Sequence, residues 1–200
     1  MSETITTTSA NDVITFNTEQ LIKDPTYEKP FTFDLVPETH PILRDVMPEF
    51  DFNNPDIKPE EFANTLIETC KQHKGLGLSA NQCGLRYRVF VMGGASEFVA
   101  FFNPKLLSTS GTVHMAEGCL SFPLLELKIT RPQVIEVEYQ TYTGEVKQSK
   151  FTGLTARCFL HELDHMNGIV YTSHAKPMAL NSGMEKRKKL MKMMNRLRLK

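Results

Sequence analysis

Two histidines and a glutamate lie within five residues in the last quarter of the chain, in the order His161-Glu162-Leu163-Asp164-His165. On a helix, residues four apart share one face with Cβ atoms roughly 5–6 Å apart, so both imidazoles can bind one metal ion. Glu162 lies one step around the helix, where it can reach a metal-bound water without binding the metal itself. The pattern therefore predicts a helix that carries two metal ligands and a general base.

A catalytic metal site of this kind needs a third protein ligand, because such sites commonly use three and keep one position for water. The residue types leave several candidates open: a carboxylate, a cysteine, or one of His40, His73, His114 and His174. A zinc endopeptidase could use His174, which lies downstream of the motif. The alternative is a surface helix in which two histidines occur by chance, since short motifs recur without function.

Two further segments precede this motif, residues 75–82 (GLGLSANQ) and residues 117–121 (EGCLS). Together with residues 161–165 (HELDH) and residues 40–44 (HPILR), they resemble the peptide deformylase family in both order and spacing. The resemblance runs from about residue 33 to residue 171. Each motif alone is moderately specific, whereas residues 75–82, 117–121 and 161–165 in this order are together very specific.

The resemblance implies a metal-dependent hydrolase that removes the formyl group from the N-terminal methionine of newly made polypeptides. It assigns the third metal ligand to Cys119, beside His161 and His165, and places a water at the fourth position. The metal-bound water attacks the formyl carbonyl, while Glu162 takes the water proton and passes it to the leaving amine. A thiolate with two neutral imidazoles leaves a divalent metal with one net positive charge, which is sufficient to acidify bound water.

One divalent metal ion per chain is therefore expected, and the resemblance implies Fe2+ as the native metal. Sulfur and imidazole ligands also suit Zn2+, Ni2+ and Co2+, so ligand chemistry alone does not select iron. The other cysteines, Cys70, Cys83 and Cys158, are interpreted as small buried hydrophobic residues, the usual environment of a free cysteine.

The resemblance also implies which groups contact the substrate. The side-chain amide of Gln82 and the backbone N–H of Leu120 would stabilise the oxyanion; the alternative for Gln82 is a simple turn amide. Gly75 and Gly77 would let an extended peptide approach the backbone and pair with it as an added strand. The residues expected to bind the peptide or to line the methionine pocket, unless they are ordinary core, are Leu76, Gly77, Met115, Gly118, Leu154 and Cys158.

An ion pair between Arg131 and Asp164, with Glu117 as a candidate third member, is expected to support the metal helix, because a buried carboxylate needs a partner. The alternative is two independent surface charges. Three residues depart from the family's usual pattern: Ser79 stands for Ala, Leu160 for Gln, and Glu126 for a basic residue. None of them removes a ligand or the base, but Glu126 is expected to change the charge at the substrate entrance.

The elements around these motifs predict an α+β fold, with antiparallel β-sheets around a central metal-binding helix and a C-terminal helix. A helix is expected over residues 59–75 and another over 155–168, each ending at a glycine. Strands are expected at residues 86–93 and 98–104, followed by a hairpin over 128–153 that turns at residues 143–144. The last helix is expected from residue 182, with Ser182 as its N-cap, and the proline-rich residues 31–58 should be irregular.

Charge and composition divide the chain into a polar extension (1–30), a catalytic domain (31–182) and a basic amphipathic helix (183–200). A net charge of zero gives no general attraction to DNA, and the absence of a long apolar segment or signal sequence favours a cytoplasmic protein without a membrane span. In the final helix an apolar stripe, Leu190, Met193, Met194 and Leu197, accompanies many basic residues. The helix is predicted to dock on the ribosome. One alternative is a solvated helix with basic residues for solubility, and a weaker one is a helix that binds an anionic membrane surface.

Two rival functions follow from the same residues. One is the zinc endopeptidase in which His174 completes the metal site. The other is a ribosome-binding relative without catalysis, against which the presence of Glu162, Gln82 and Cys119 argues.

Overall fold

Antiparallel strands with alternating buried side chains form two sheets in the computed structural model, which describes residues 30–94 and 97–198. The larger sheet contains, in spatial order, β1 (Gly77–Ser79), β2 (Val89–Gly93), β3 (Phe98–Ser110), β6 (Val134–Gln140) and β7 (Val146–Thr152). The smaller sheet is a hairpin of β4 (Val113–Cys119) and β5 (Phe122–Arg131). All of these strand pairs are antiparallel, as predicted.

Three α-helices occur in the described part of the chain: α1 (Pro59–Gln72), α2 (Gly153–Met166) and α3 (Pro177–Arg198). Helix α2 is the predicted central helix, and its apolar residues belong to one core cluster with residues of both sheets. The ring of Phe159 lies edge-on to Phe90 and Phe101, at 5.1 and 5.4 Å between centroids. Just beyond its end, Gly168 has a left-handed φ of 69°, and a Cβ there would lie 2.5 Å from the Arg44 carbonyl oxygen.

Helix α1 confirms the helix predicted from residue 59. Pro59 is its first residue, where the missing N–H would have no helical partner. Its apolar face places Phe62 and Leu66 in a second core cluster, which also contains Leu78 of β1 and Val91 of β2. The proline-rich residues before it are irregular, apart from a short 3-10 helix over Pro41–Arg44.

The sequence-based assignment of the strands was partly wrong. The hairpin predicted over residues 128–153 is β6–β7, which turns around Gly144 with φ 84°. Residues 128–131 belong instead to β5, and Pro132, which lacks a backbone N–H, follows its end. The β4–β5 hairpin was not predicted, although the alternation of buried residues along β5 is regular.

Helix α3 begins at Pro177, five residues before the predicted cap Ser182, which lies inside the helix. Gly183, the residue after the predicted cap, has a packing role within the helix. A Cβ at Gly183 would lie 2.7 Å from Leu127 Cδ2 and 3.2 Å from Leu125 Cδ1, so glycine allows α3 to approach β5 closely. The expected change from catalytic domain to helix at residues 182–183 falls within this continuous helix.

The polar extension expected over residues 1–30 lies outside the described residues, apart from Pro30. Within the part of the chain that the structure describes, no helix combines the length and the apolar character needed to span a membrane.

Candidate metal centre and active site

Helix α2 and the turn after β4 bring three potential metal ligands together. His161 and His165 lie one helical turn apart, with ring centroids separated by 5.1 Å. Cys119 is the last residue of β4, and its Sγ lies 3.3 Å from His165 Nε2. The three donor atoms all lie within 4.8 Å of one another.

The donor set fits a divalent transition metal. In a tetrahedral site with metal–sulfur and metal–nitrogen distances of about 2.3 and 2.05 Å, a sulfur and a nitrogen ligand lie roughly 3.5 Å apart. The separation of 3.3 Å between Cys119 and His165 is close to this value. His161 directs Nδ1 at a carboxylate, 2.7 Å from Glu117 Oε1, and so leaves Nε2 for a metal. A neutral His161 with its Nδ1–H directed at Glu117 is the tautomer that binds a metal through Nε2.

The histidines that were open as third ligands lie elsewhere. His40 accepts a hydrogen bond from the start of the 3-10 helix that follows it, His114 contacts β5, and His174 binds a carboxylate. Within the described residues, the one grouping of ligating side chains that could hold a metal is Cys119, His161 and His165. The endopeptidase alternative with His174 as a ligand is not supported by this geometry.

Glu117 is a fully paired carboxylate beside the metal ligands. Its Oε1 accepts from His161 Nδ1 and from Arg131 Nη2 at 2.7 and 2.6 Å, and its Oε2 accepts from Arg131 Nε and Arg157 Nη1 at 2.9 and 2.8 Å. Burial opposes its charge, but Arg131 and His161 outweigh burial and hold the pKa of Glu117 well below its ordinary value. The charged carboxylate therefore fixes the ring orientation of His161.

Arg131 links this carboxylate to helix α2. In addition to its two bonds with Glu117, it donates from Nη1 to Asp164 Oδ2 at 2.7 Å. Asp164 also accepts from His174 Nε2 at 2.8 Å. The structure thus brings Arg131, Asp164 and Glu117 into one ion-paired network. Arg131 and Asp164 are in contact and are not the independent surface charges of the alternative interpretation.

Arg157 is a member of this network that sequence reasoning missed. It is buried, it pairs with Glu117, and its Nη2 donates to the carbonyl oxygens of Val113 and Ile129, one on each strand of the β4–β5 hairpin. It lies four residues before His161 and hence on the same helix face. A basic residue four positions before a predicted metal ligand on the same helix was the available signal.

Glu162 lies against Gly77 of the edge strand β1. A Cβ at Gly77 would lie 2.5 Å from Glu162 Oε1 and 2.9 Å from Cys158 Sγ, so glycine is needed here to make room for the carboxylate. Glu162 Oε2 is buried and has no hydrogen-bond partner among the described residues. Burial is the main reason that the pKa of Glu162 is raised to about 7, against weaker opposing effects of His161 and Ser79.

The Gln82 side chain is buried next to the ligand Cys119. Its Nε2 donates to Cys119 Sγ at 3.4 Å and to Ser121 Oγ at 3.0 Å. Its Oε1 accepts from both the backbone N–H and the hydroxyl of Ser79, each at 3.0 Å. An amide donor group therefore lies beside the metal ligands. Gln82 is buried rather than on the surface, and its bond to the Ser79 N–H also caps the 3-10 helix Ala80–Cys83.

A cavity of about 320 Å³ opens in front of these groups. Its walls include five of the six expected substrate-binding residues, namely Leu76, Gly77, Gly118, Leu154 and Cys158, and also Leu120, the expected backbone oxyanion donor. Met115 was expected there too, but it is absent from the cavity lining and pairs with Ile129 in the β4–β5 hairpin. Ala116 and Arg157 line the cavity instead and were not predicted.

The three departures from the family pattern have separate surroundings. Leu160 is buried in the main core cluster, where an apolar side chain needs no polar partner. Ser79 is buried against Gln82. Glu126 is exposed and lines a second cavity of about 350 Å³ with Lys186 of α3, and this cavity shares Gly118 and Cys119 with the first. Neither Leu160 nor Glu126 enters the metal group.

Fold and site together define a metal-dependent hydrolase. Two ligands come from the helix that carries residues 161–165, and the third, Cys119, comes from a β-hairpin. Glu162, whose buried Oε2 has no partner among the described residues, lies beside a cavity that can hold a substrate.

Comparison with known proteins identifies the family. The sequence model of the family described as polypeptide deformylase matches residues 33–181. The peptide deformylase of Thermotoga neapolitana is 41% identical over 113 residues, which cover 56% of this chain and 69% of that protein. That of Wolbachia pipientis from Culex pipiens is 35% identical over 147 residues, covering 66% and 82% of the two chains.

Solved structures agree with these relatives. The crystal structure of peptide deformylase from Thermotoga maritima has a TM-score of 0.66 and 34% identity, and the match covers 74% of this chain and all of that one (100%). The Synechococcus elongatus enzyme in complex with actinonin has a TM-score of 0.72 and 28% identity, over 78% of this chain and 88% of that one. The chain belongs to the peptide deformylase family. It is an enzyme that removes the N-formyl group from newly made polypeptides, with a metal site formed by Cys119, His161 and His165.

Proposed function

We propose that Glu162 is the general base of formyl hydrolysis. The observation that carries this role is its buried Oε2, which has no hydrogen-bond partner among the described residues and lies beside the metal ligands. A divalent metal held by Cys119, His161 and His165 would acidify a water molecule and polarise the formyl oxygen. Glu162 takes a proton from the attacking water and returns it to the leaving amine as the C–N bond breaks, which releases formate and a free N-terminus.

The oxyanion formed during the attack is stabilised by the amide Nε2 of Gln82 and the backbone N–H of Leu120. Nε2 is already directed toward Cys119, and Leu120 directly follows that ligand and lines the same cavity. Such donors stabilise the transition state more than the substrate, so loss of one typically lowers the rate about 10²–10³-fold. Gln82→Ala should therefore lower kcat far more than it raises KM.

The substrate backbone binds as an extra strand along β1. This strand lies at the edge of the larger sheet and pairs only with β2 among the described strands, so its other edge can receive a peptide. Leu76, Leu154 and Cys158 then surround the methionine side chain, while Gly77 and Gly118 border the peptide backbone. Because this cavity wall is mainly apolar, formyl-norleucine peptides should be cleaved and formyl-aspartyl peptides should be poor substrates.

The ligand assignment is tested by two alanine variants. Cys119→Ala should lower bound metal in elemental analysis, because the thiolate supplies a ligand and much of the negative charge of the site. His174→Ala is the matched control and should retain one metal per chain, since His174 pairs with Asp164 and is not in the Cys119, His161 and His165 group. Metal loss in the control together with full retention in Cys119→Ala would restore the endopeptidase alternative.

Iron(II) is proposed as the native metal, on the family resemblance. The thiolate and two imidazoles present here also accept zinc, nickel and cobalt. Protein purified without oxygen should contain iron by elemental analysis and should lose activity in air, whereas a zinc-containing sample of equal specific activity under both conditions would contradict the proposal.

Helix α3 is proposed to dock on ribosomal RNA in the cytoplasm, where formylated nascent chains emerge. Gly183 packs on β5, and Arg187 donates to the Pro123 carbonyl and pairs with Glu38, so the first half of the helix is fastened to the domain. Arg187 is therefore not part of the outward basic face. The exposed basic residues are Lys186, Lys188, Lys189, Lys192 and Arg196, and they accompany the exposed apolar residues Met193, Met194 and Leu197.

Neutralisation of exposed lysines tests this docking without removing the anchor of the helix. The triple variant Lys188→Gln, Lys189→Gln, Lys192→Gln should cosediment less with ribosomes and show a weaker dependence on salt, because fewer phosphates are neutralised. A matched control changes Lys105, Lys147 and Lys150 on the larger sheet in the same way. Equal ribosome binding by both variants, with peptide cleavage intact, would contradict the docking role.

A further inference from the structure

Two buried serine hydroxyls hold the opposite ends of the Gln82 amide. Ser79 donates to Oε1 from its hydroxyl and from its backbone N–H, both at 3.0 Å. Ser121 accepts from Nε2 at 3.0 Å through its Oγ. All three side chains are at most 5% exposed, so water cannot easily replace these bonds.

The orientation of the amide follows from donor chemistry. A backbone N–H can only donate, so the atom that faces the Ser79 N–H must be the amide oxygen. The nitrogen consequently faces Ser121 and Cys119 and carries two N–H groups, one of which is taken up by Ser121. The other points to Cys119 Sγ, at the wall of the cavity in which the substrate carbonyl would lie.

We propose that Ser79 and Ser121 are positioning residues that hold Gln82 so that one N–H stays directed at the reacting carbonyl; this rests on the proposed oxyanion role of Gln82. With both acceptor sites of Oε1 occupied, the amide is also polarised, which makes Nε2–H a better donor. Neither serine contacts the substrate in this account. Ser121 acts on the rate through Gln82 alone, and Ser79 acts chiefly through Gln82, although its hydroxyl also opposes the raised pKa of Glu162.

Single variants should show a selective loss of turnover. Ser79→Ala and Ser121→Ala should each lower kcat roughly two- to tenfold, the range expected for one neutral hydrogen bond, with KM nearly unchanged. Ser108→Ala is the matched control, because its hydroxyl bonds Glu136 on the exposed side of the larger sheet. Ser121→Thr keeps a hydroxyl and should restore most of the rate, whereas a purely packing role would not favour threonine over alanine.

A double-mutant cycle separates action through Gln82 from every other route. In a Gln82→Ala background, Ser121→Ala should have no further effect on kcat, and Ser79→Ala should have little. If either serine variant lowers kcat there as much as it does in the parent, the hydroxyl acts on Glu162 or on the fold and the inference is wrong. If Gln82→Ala itself leaves kcat unchanged, the proposed oxyanion role fails instead, and the two failures are distinguishable.

A second readout does not depend on turnover. In zinc-loaded, 15N-labelled protein, the two Nε2 protons of Gln82, assigned by their absence in Gln82→Ala, should give separate and slowly exchanging signals. Ser79→Ala and Ser121→Ala should speed their exchange with solvent at unchanged zinc content and melting temperature. Exchange as slow as in the parent protein in both variants would overturn the positioning role.

Discussion

Glu117 and Glu162 are two buried glutamates near the same metal ligand, His161, and their surroundings are opposite. Glu117 accepts four hydrogen bonds, from Arg131, Arg157 and His161, and its pKa is held below its ordinary value. Glu162 has an oxygen without a partner among the described residues, and burial raises its pKa to about 7. The comparison shows that pairing decides the role: the paired carboxylate can only anchor, whereas the unpaired one can exchange a proton.

The largest expected effect is a loss of turnover when Glu162, whose Oε2 has no partner among the described residues, is changed. Glu162→Gln preserves size but cannot carry the proton, so kcat should fall about 10²–10⁴-fold. Metal content and melting temperature should stay close to those of the parent, because Gln adds no charge to a site where Oε2 had no partner. More than a few percent of parental activity in the purified variant would remove Glu162 as the base.

The next largest expected effect is a loss of stability when Arg131, which connects Glu117 with helix α2, is changed. Arg131→Ala leaves one buried carboxylate, Glu117, and one partly buried carboxylate, Asp164, with fewer partners, and breaking a buried ion pair often costs about 3–5 kcal/mol. The lower end is expected, because Arg157 and His174 remain. Thermal unfolding should show a melting temperature lower by about 6–12 °C.

An unchanged melting temperature in Arg131→Ala would mean that the network adds no stability. Arg131→Lys is the informative companion, because lysine keeps the charge but cannot bind Glu117 through two N–H groups. The melting temperature of Arg131→Lys should lie between that of the parent and that of the alanine variant.

A smaller effect is expected on metal affinity at Glu117 itself. Glu117→Gln removes the negative charge that orients His161, and loss of such a partner typically lowers metal affinity about 10–100-fold. Competition with a chelator measures this directly. Glu145→Gln, at an exposed position near the β6–β7 turn, is the matched control and should bind metal like the parent. Equal affinities of the two variants would show that Glu117 does not tune the site.

The smallest effect is expected for an ion pair exposed to solvent. Lys150 pairs with Glu136 at 3.3 Å on the larger sheet, where both side chains are at least half exposed. Water and salt screen such a pair, so Lys150→Ala should leave both the melting temperature and the turnover unchanged within error. A loss comparable to that of Arg131→Ala would contradict the distinction between paired charges in the core and on the surface.

Residue types and spacing predicted the metal ligands because the chemistry is local for two of them. His161 and His165 are fixed by helix geometry, and Cys119 was reachable only through the family motif, since its position depends on how the β4–β5 hairpin folds. That hairpin was missed, even though Leu125, Leu127 and Ile129 alternate with polar residues along β5. The family motif at residues 117–121 therefore identified Cys119 as a ligand, although the β4–β5 hairpin that carries it was not predicted.

Other errors arose where tertiary packing overrides local preference. The last helix was predicted to begin at Ser182 but begins at Pro177, and the close approach of α3 to Leu127 explains why a glycine, Gly183, lies inside it. Arg157 escaped notice because its partner, Glu117, lies 40 residues away on another element. Met115 was carried over from the family pattern and does not reach the cavity.

A metal held by Cys119, His161 and His165 makes this chain a deformylase, and Glu162 is its proposed base. The most direct test is formate release from formyl-Met-Ala-Ser by protein prepared without oxygen and supplied with ferrous iron. We expect one metal per parent chain, steady formate release that stops on chelation and returns with metal, and no release by metal-loaded Glu162→Gln. Formate release that survives complete metal removal, or none from the folded, metal-loaded parent, would contradict the account.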